Sequence, residues 1–509
     1  MNITRHFFDA AQKHPEKPAI IDRDGTVLSF GELAAEVEKA AAYYRSKGIN
    51  RGDRVLVFVP MSIPLYRCVL ALFHIGAVAV FLDEWVSRER LEVCCRLAKC
   101  KAFIAPLKLR ALALLSGELR RIPVWLGQQI KTVSGDSSSA AVDVTETALI
   151  TFTTGSTGIP KAADRTHGFL QAQFDALIQE ISPAADDVDM PVLPIVLLLN
   201  LGSGIPSVIA DYNSRKPKTL NPERIRQQIV AHKVNRITAS PYLVEQLGLH
   251  AAAHPGADTA LLRRMFTGGA PVFPDQAATM QRGYPQAQIN IVYGSTEAEP
   301  ISRITAAELV QQNELSRGLA VGHLAKAATV MILPIKAEPI AVNSIAELQQ
   351  LQLSAGSIGE IVVSGPHVLR HYIDNPEAVK QNKIFIGNAV WHRTGDAGFL
   401  DENGSLFLCG RCTSLIYDKA GQLLAPFLWE GKLRMLPGVT AGTILQFGEK
   451  IMAIIEPDKN ADQEKVKATV QNLYAFHEIR IIAHLPRDPR HFSKVDYGKL
   501  KEMMKRFLI

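Results

Sequence analysis

Residues 151–161 read TFTTGSTGIPK: seven of the eleven are glycine, serine or threonine, and the run ends on Pro160-Lys161. Glycines let the backbone turn several N–H groups inward, hydroxyls add donors, and a lysine supplies a point charge suited to polyphosphate. The segment ALITF just before it reads as a strand and HGFLQAQFDALIQ after it as a helix. Strand, glycine loop and helix N-terminus form a common setting for a phosphate site, and a plain flexible linker would lack these neighbours. The nucleotide-hydrolysing loop GxxxxGK[ST] does not fit, because Lys161 follows proline and Ala162 stands where Ser or Thr belongs.

Outward from this loop the chain alternates helical and strand-like patterns, which predicts α/β architecture. In LSFGELAAEVEKAAAYYRSKG, Ser29 and Glu32 form a capping-box pair, Leu33, Val37, Ala41 and Tyr44 repeat at helical spacing, and Gly48 closes the element. GDRVLVFV reads as a strand, NPERIRQQIVAHKVNRITAS as helix then strand, and AQINIVYGSTE as a strand running into a loop. Near residue 356 the texture becomes that of short antiparallel strands, as in SIGEIVVSG and GSLFLCGR. After Arg411 a smaller unit follows, with helices expected over 462–474 and 496–507. The reading is therefore a large domain of α/β layers with an added β region, residues 1–411, and a small mobile α+β domain, residues 412–509. SGDSSSAAVD at 134–143 is expected to be a surface loop or linker.

Composition narrows the function classes. The chain has 509 residues, 47% of them apolar and 21% charged, with a formal net charge of +6. That is a mild bias for this length, and no basic run of nucleic-acid type occurs. The N-terminus MNITRHFFDA lacks the apolar core of a secretory signal. The apolar run Cys68–Leu82 is too short to span a membrane and suits a buried helix-to-strand segment. The six cysteines carry no sign of a disulfide framework, and the cytoplasm is the expected compartment. Cys409 and Cys412 form a CxxC without a second pair, which does not suffice for a structural zinc site.

Four further segments stand in a telling order: GGAPV at 268–272, YGSTEAEP at 293–300, WHRTGDAGFL at 391–400 and PRHFSKVDYGKL at 489–500. With the 151–161 loop they resemble the signatures of the AMP-forming adenylating superfamily, which includes acyl-CoA synthetases, peptide-synthetase adenylation domains and luciferases. The resemblance implies ATP and Mg²⁺ as cofactors. It implies that Thr153, Thr154, Gly155, Ser156, Thr157, Gly158 and Lys161 hold the β,γ-phosphates. Gly268, Gly269 and Ala270 would wall the adenine pocket, in which Tyr293, followed by Gly294 and Ser295, would stack on the base. Thr296 would bind the α-phosphate, Glu297 the metal, Asp396 the ribose hydroxyls with Arg411 beside them, and Lys494 would bridge the attacking carboxylate and the phosphate.

The implied reaction is attack of a carboxylate on the α-phosphorus of ATP, giving an acyl-adenylate and pyrophosphate. In the family the acyl group then passes to the thiol of CoA or of phosphopantetheine on an acyl carrier protein. Departures occur at Thr413, where the family often has Asp or Lys, and at Ala162. The usual glutamate near the start of the small domain is partly recovered at Glu430. A narrower resemblance is to the olefin-pathway β-lactone synthetases, carried by VIADYNSRKPKTLNPERIRQQI, SPYLVEQL, EAEPIS and WHRTGDAGFLDENGSLFLCGR. It implies internal closure of an adenylated β-hydroxy acid as the alternative, and a catalytically silent nucleotide-binding paralogue is a third reading. Leu193 and Ile195–Leu199 are candidates for lining an apolar acid channel, or equally for core.

Overall fold

A computed structural model describes residues 1–82, 87–154, 160–312, 318–488 and 493–508. Local chemistry accounts for much of the secondary structure. Ser29 caps the helix Phe30–Ser46 through a capping box with Glu32, and Leu33, Val37, Ala40 and Ala41 are fully buried along one face. The apolar run at 68–82 divides into the end of helix Ile63–His74 and strand Val78–Phe81, both inside the core. The 134–143 segment has no regular structure and is tied to the surface by Arg45, which donates to the carbonyls of Asp136 and Ser138.

Two sheets dominate. A 6-stranded sheet runs Val124–Leu126, Ala102–Ile104, Arg54–Val57, Val78–Phe81, Thr147–Thr154, Pro160–Thr166; its pairs are parallel except the last, an antiparallel hairpin. A 14-stranded sheet has two characters. Its parallel part includes Arg236–Ala239, Arg264–Gly268 and Gln288–Ser295. Its antiparallel part includes Ala298–Thr305, Leu319–Leu324, Ser405–Arg411 and Ala389–Leu400. The seam is the strand Gln288–Ser295, parallel to one neighbour and antiparallel to the other.

Two expectations need correction. The antiparallel region starts at Ala298, well before residue 356, because the segment after Ser295 turns tightly and pairs back instead of entering a loop. The helix begins at His167 as expected, but the strand Pro160–Thr166 stands between it and the glycine loop. The alternation Lys161, Ala163, Arg165 has the period of a strand, and pairing Thr153 with Lys161 closes a hairpin at the sheet edge.

Beyond Arg411 a 3-stranded sheet, Val439–Phe447, Lys450–Pro457 and Glu478–Ile481, packs with helices Pro426–Arg434, Gln463–Gln471 and Tyr497–Leu508. The fold class is thus α/β, with a large N-terminal part carrying an antiparallel region and a small α+β part at the C-terminus. Arg434 reaches across to the large part, where its guanidinium meets Asp275 at 2.7 Å. Among the described residues no helix is long and apolar enough to cross a membrane.

Candidate active site

The seam strand ends in a hairpin whose two-residue turn is Thr296-Glu297, with Ser295 paired to Ala298. The turn delivers Glu297 into the interior, where it is 8% exposed. Two hydroxyls donate to the same oxygen, Oε1: Thr153 from the edge hairpin at 3.2 Å and Tyr372 at 3.0 Å. Burial by itself would raise the Glu297 carboxyl, yet it lies below the ordinary carboxylate range. His392 cannot be the cause, since burial pushes it down to about 3 and leaves it neutral. The charges that favour the carboxylate are those of Lys161 and of Lys383, which burial pushes down to about 7 so that it is charged in only part of the molecules near neutral pH.

Lys161 comes from the edge hairpin. Its ammonium donates to Asn382 Oδ1 at 3.3 Å and lies 5.0 Å from the centroid of the Tyr372 ring. Burial lowers its pKa, and Glu297 opposes the shift. Two positions further along that face of the strand, Arg165 packs over Phe169, and its guanidinium donates to the Thr296 carbonyl at 3.2 Å, bracing the turn. His392 stands inside the 391–400 segment without a role read for it, and Lys383, Asn382, Tyr372 and Arg165 belong to no motif. Arg165 was readable from strand periodicity; the others come from segments with no local signal.

A second group gathers across the seam. Asp396 and Arg411 are directly opposed on the antiparallel strands Ala389–Leu400 and Ser405–Arg411, which accounts for their spacing as strand, turn and strand. Arg411 Nη1 meets Asp396 Oδ1 at 2.8 Å, and the Tyr293 hydroxyl donates to Asp396 Oδ2 at 2.8 Å. Tyr293 therefore links the seam strand to Asp396. On the other side of the seam, a Cβ at Gly268 would lie 2.4 Å from the Val292 carbonyl oxygen, and Gly269 has φ +82. Both positions demand glycine, and the backbone there stays bare, as a flat base against it requires. Ala270 follows in the same turn, and Gly294 lies between Tyr293 and Ser295, whose buried hydroxyl has no hydrogen-bond partner among the described residues.

Gly155, Ser156, Thr157 and Gly158 lie outside the described residues, and of Thr154 only the backbone is described, paired with Pro160. Lys494 sits on a strap pinned at both ends. Its N–H donates to Asp488 Oδ1 at 3.0 Å, its carbonyl accepts from the Asp488 N–H at 2.9 Å, and Val495 bridges to Arg487. The charge of Arg487 bears on Tyr242 and Glu245. These residues belong to the helix Pro241–Ala253, which follows the strand Arg236–Ala239 of the large sheet. Arg487, at the base of the strap, thus lies near the helix Pro241–Ala253.

The residues present fit ATP and Mg²⁺. Glu297 is an ionised oxygen ligand of the kind Mg²⁺ prefers. Among the described residues no group of three or more His, Cys, Asp or Glu could hold a metal by itself. A single carboxylate suits an ion that takes its other ligands from phosphate and water. The buried Ser295 hydroxyl and the cleared backbone at Gly268 are the polar and flat surfaces a nucleotide needs.

Of the acid-channel candidates, Val196, Leu197 and Leu199 on helix Pro194–Gly202 are buried, Leu197 fully and in the main core, whereas Leu193, Ile195 and Leu198 are half-buried. Burial raises the thiols of Cys409 and Cys412 to about 12, so both stay protonated near neutral pH.

Fold and site together define an ATP-dependent, AMP-forming ligase that works with Mg²⁺ on a carboxylic acid. Residues 7–373 match the family described as AMP-binding enzyme. The chain is 32% identical over 420 residues to an olefin beta-lactone synthetase of Stenotrophomonas maltophilia, covering 78% of this chain and 74% of that one. It is 29% identical over 509 residues to an olefin beta-lactone synthetase of Xanthomonas campestris, covering 93% and 90%. Among solved structures, the amide bond synthetase McbA from Marinactinospora thermotolerans superposes with a TM-score of 0.81 over 98% of this chain and 99% of that one, at 22% identity. The chain belongs to the AMP-binding enzyme family.

Proposed function

We propose that this enzyme adenylates an apolar β-hydroxy acid and closes the activated acyl group onto its own hydroxyl as a β-lactone. The supporting observation is twofold: the two relatives above bear that activity in their names, and Thr413 stands where the family often has Asp or Lys. Transfer to the thiol of CoA or of a carrier protein is the second reading, favoured by the order of the motifs from Thr153 to Lys494. The cytoplasm is the proposed setting.

In both readings the first step is the same. Two anions must meet, so the site has to place cations and donors on the developing charge. We assign Lys161, with the 153–158 loop, to the β,γ-phosphates and Thr296 to the α-phosphate. Asp396 accepts from the ribose hydroxyls, since a carboxylate only accepts hydrogen bonds, and Arg411 at 2.8 Å orients it. Tyr293 stacks on adenine, and its hydroxyl stays protonated because burial and Asp396 both raise it. Mg²⁺ bound at Glu297 would spread phosphate charge. Lys494 comes from the unit we delimit as residues 412–509 and guides the carboxylate to phosphorus. Positioning and electrostatics carry the step, with no side-chain nucleophile.

The deciding experiment measures pyrophosphate release with ATP and Mg²⁺ over fatty, β-hydroxy fatty, aryl and amino acids, each with and without CoA. Release that needs the β-hydroxyl and yields a lactone by mass supports internal closure. Release that needs CoA and yields a thioester transfers the proposal to the second reading. No release with any acid would remove both.

A further inference from the structure

Lys383 opens the strand Lys383–Ile386, directly opposite His392 on the neighbouring strand. It is 4% exposed, and its ammonium has no hydrogen-bond partner among the described residues. A buried ammonium with three unmet donors is costly, and such a group persists where something outside the resting protein completes it. Its surroundings indicate what. Lys383 and Lys161 both lie over the Tyr372 ring, at 5.5 and 5.0 Å from its centroid. Asn382, next to Lys383 in the chain, is the residue that receives the Lys161 ammonium. One carboxylate, Glu297, faces these two cations, and its Oε1 already takes two hydroxyls. Two lysine amines and one carboxylate thus share the corner; burial pushes Lys383 down to about 7, with Glu297 opposing the shift. Lys383 also lines a cavity of about 620 Å³, with Lys380 and His371 in the same wall, although its ammonium itself is buried. The one acid in that wall, Asp374, is engaged by Lys99 at 2.9 Å.

We propose that Lys383 is a second ammonium for the pyrophosphate leaving group, gripping with Lys161 the two phosphates that depart when the acyl-adenylate forms. The inference rests on the adenylation reading, in which Lys161 serves the β,γ-phosphates. In that step the bond between the α-phosphorus and the bridging oxygen breaks, the carboxylate oxygen bonds to the same phosphorus, and the electron pair leaves with pyrophosphate. Negative charge grows on the departing oxygens, where a second cation in a dry corner has most effect.

The test is acid-dependent ATP–pyrophosphate exchange by wild type, Lys383→Met and Lys383→Arg, together with AMP binding by calorimetry. Loss of one charge-assisted contact predicts a KM for pyrophosphate raised roughly 10- to 100-fold in Lys383→Met. The KM for the acid and the affinity for AMP stay as in wild type, and Lys383→Arg recovers much of the loss. A purely structural lysine would move AMP and pyrophosphate together, or neither, and either result overturns the proposal. Should Lys383→Met fail to fold, a crystal of the wild type with Mg²⁺ and pyrophosphate decides. An Nζ to phosphate-oxygen distance within hydrogen-bond range supports the assignment, and one beyond about 3.5 Å rejects it. Absence of exchange in wild type with every acid would instead strike the adenylation reading, a separate failure.

Discussion

Glu430 is the most sharply testable group in the small part of the fold. It lies on helix Pro426–Arg434, is 6% exposed, and its Oε1 accepts hydrogen bonds from Thr443 at 3.0 Å and from the Tyr497 hydroxyl. Tyr497 opens the last helix, three residues past Lys494, so the network anchors one end of the strap. Burial raises the Glu430 carboxyl from 4.5 to about 7, although the two hydroxyls pull it down. Below pH 4.5 folded and unfolded forms are both protonated. Between 4.5 and 7 the folded form keeps a proton that the unfolded form has released, so stability falls as pH rises and is lost through the folded pKa. Across that window the difference amounts to about 3 kcal/mol.

Glu430→Gln keeps both accepted hydrogen bonds and removes the titration. Buried histidines such as His167, lowered to about 4, change with pH in the opposite sense, so only the difference between variant and wild type isolates Glu430. The assay is hydrogen exchange of the buried amides Ile451–Ile455, corrected for intrinsic rates, between pH 5 and pH 8. Protection in the variant relative to wild type should climb roughly hundredfold over that range. A flat ratio would refute the reasoning, for it would mean that the carboxyl is charged and satisfied where it stands.

Four other outcomes are expected. Lys494→Ala should abolish most pyrophosphate release while ATP still binds, whereas Lys499→Ala, an exposed helix position, should change neither; equal effects of the two would misplace the strap lysine. Asp396→Ala should weaken ATP binding by about 1.5–3 kcal/mol, read by calorimetry, since it loses a charged acceptor for the ribose. Gly268→Ala should cost about 1–3 kcal/mol in urea unfolding, because the new methyl meets a backbone carbonyl that cannot step aside. Glu297→Gln should raise the Mg²⁺ concentration needed for half-maximal rate at least tenfold, measured by metal titration of pyrophosphate release.

Legibility followed the range of the interaction. The capping box at Ser29 and Glu32, the buried helix-to-strand run at 68–82 and the closing helices are built from contacts a few residues apart, and they stand where the pattern puts them. The edge strand holding Lys161 merges in the sequence with the loop before it because Pro160 and the glycines precede it, and only the alternation Lys161, Ala163, Arg165 marks it. The turn at Thr296-Glu297 was read as a loop because a two-residue reversal depends on a partner strand to pair with. Lys383 and Tyr372 were invisible: nothing near them in the chain says that both end beside Glu297.

By itself the amino-acid sequence determined the α/β character, the local caps and the types of residue the chemistry draws on, since hydroxyls, glycines, lysines and acids at short spacings are properties of single segments. Tertiary structure alone decided which of them meet. Asp396 faces Arg411 because two antiparallel strands share a register, and Thr153 reaches Glu297 because an edge hairpin and a seam hairpin belong to different sheets that pack together. The physical reason is that charge and hydrogen bonding act over a few ångströms in space, and only the packing of the sheets brings residues 144 positions apart within that distance.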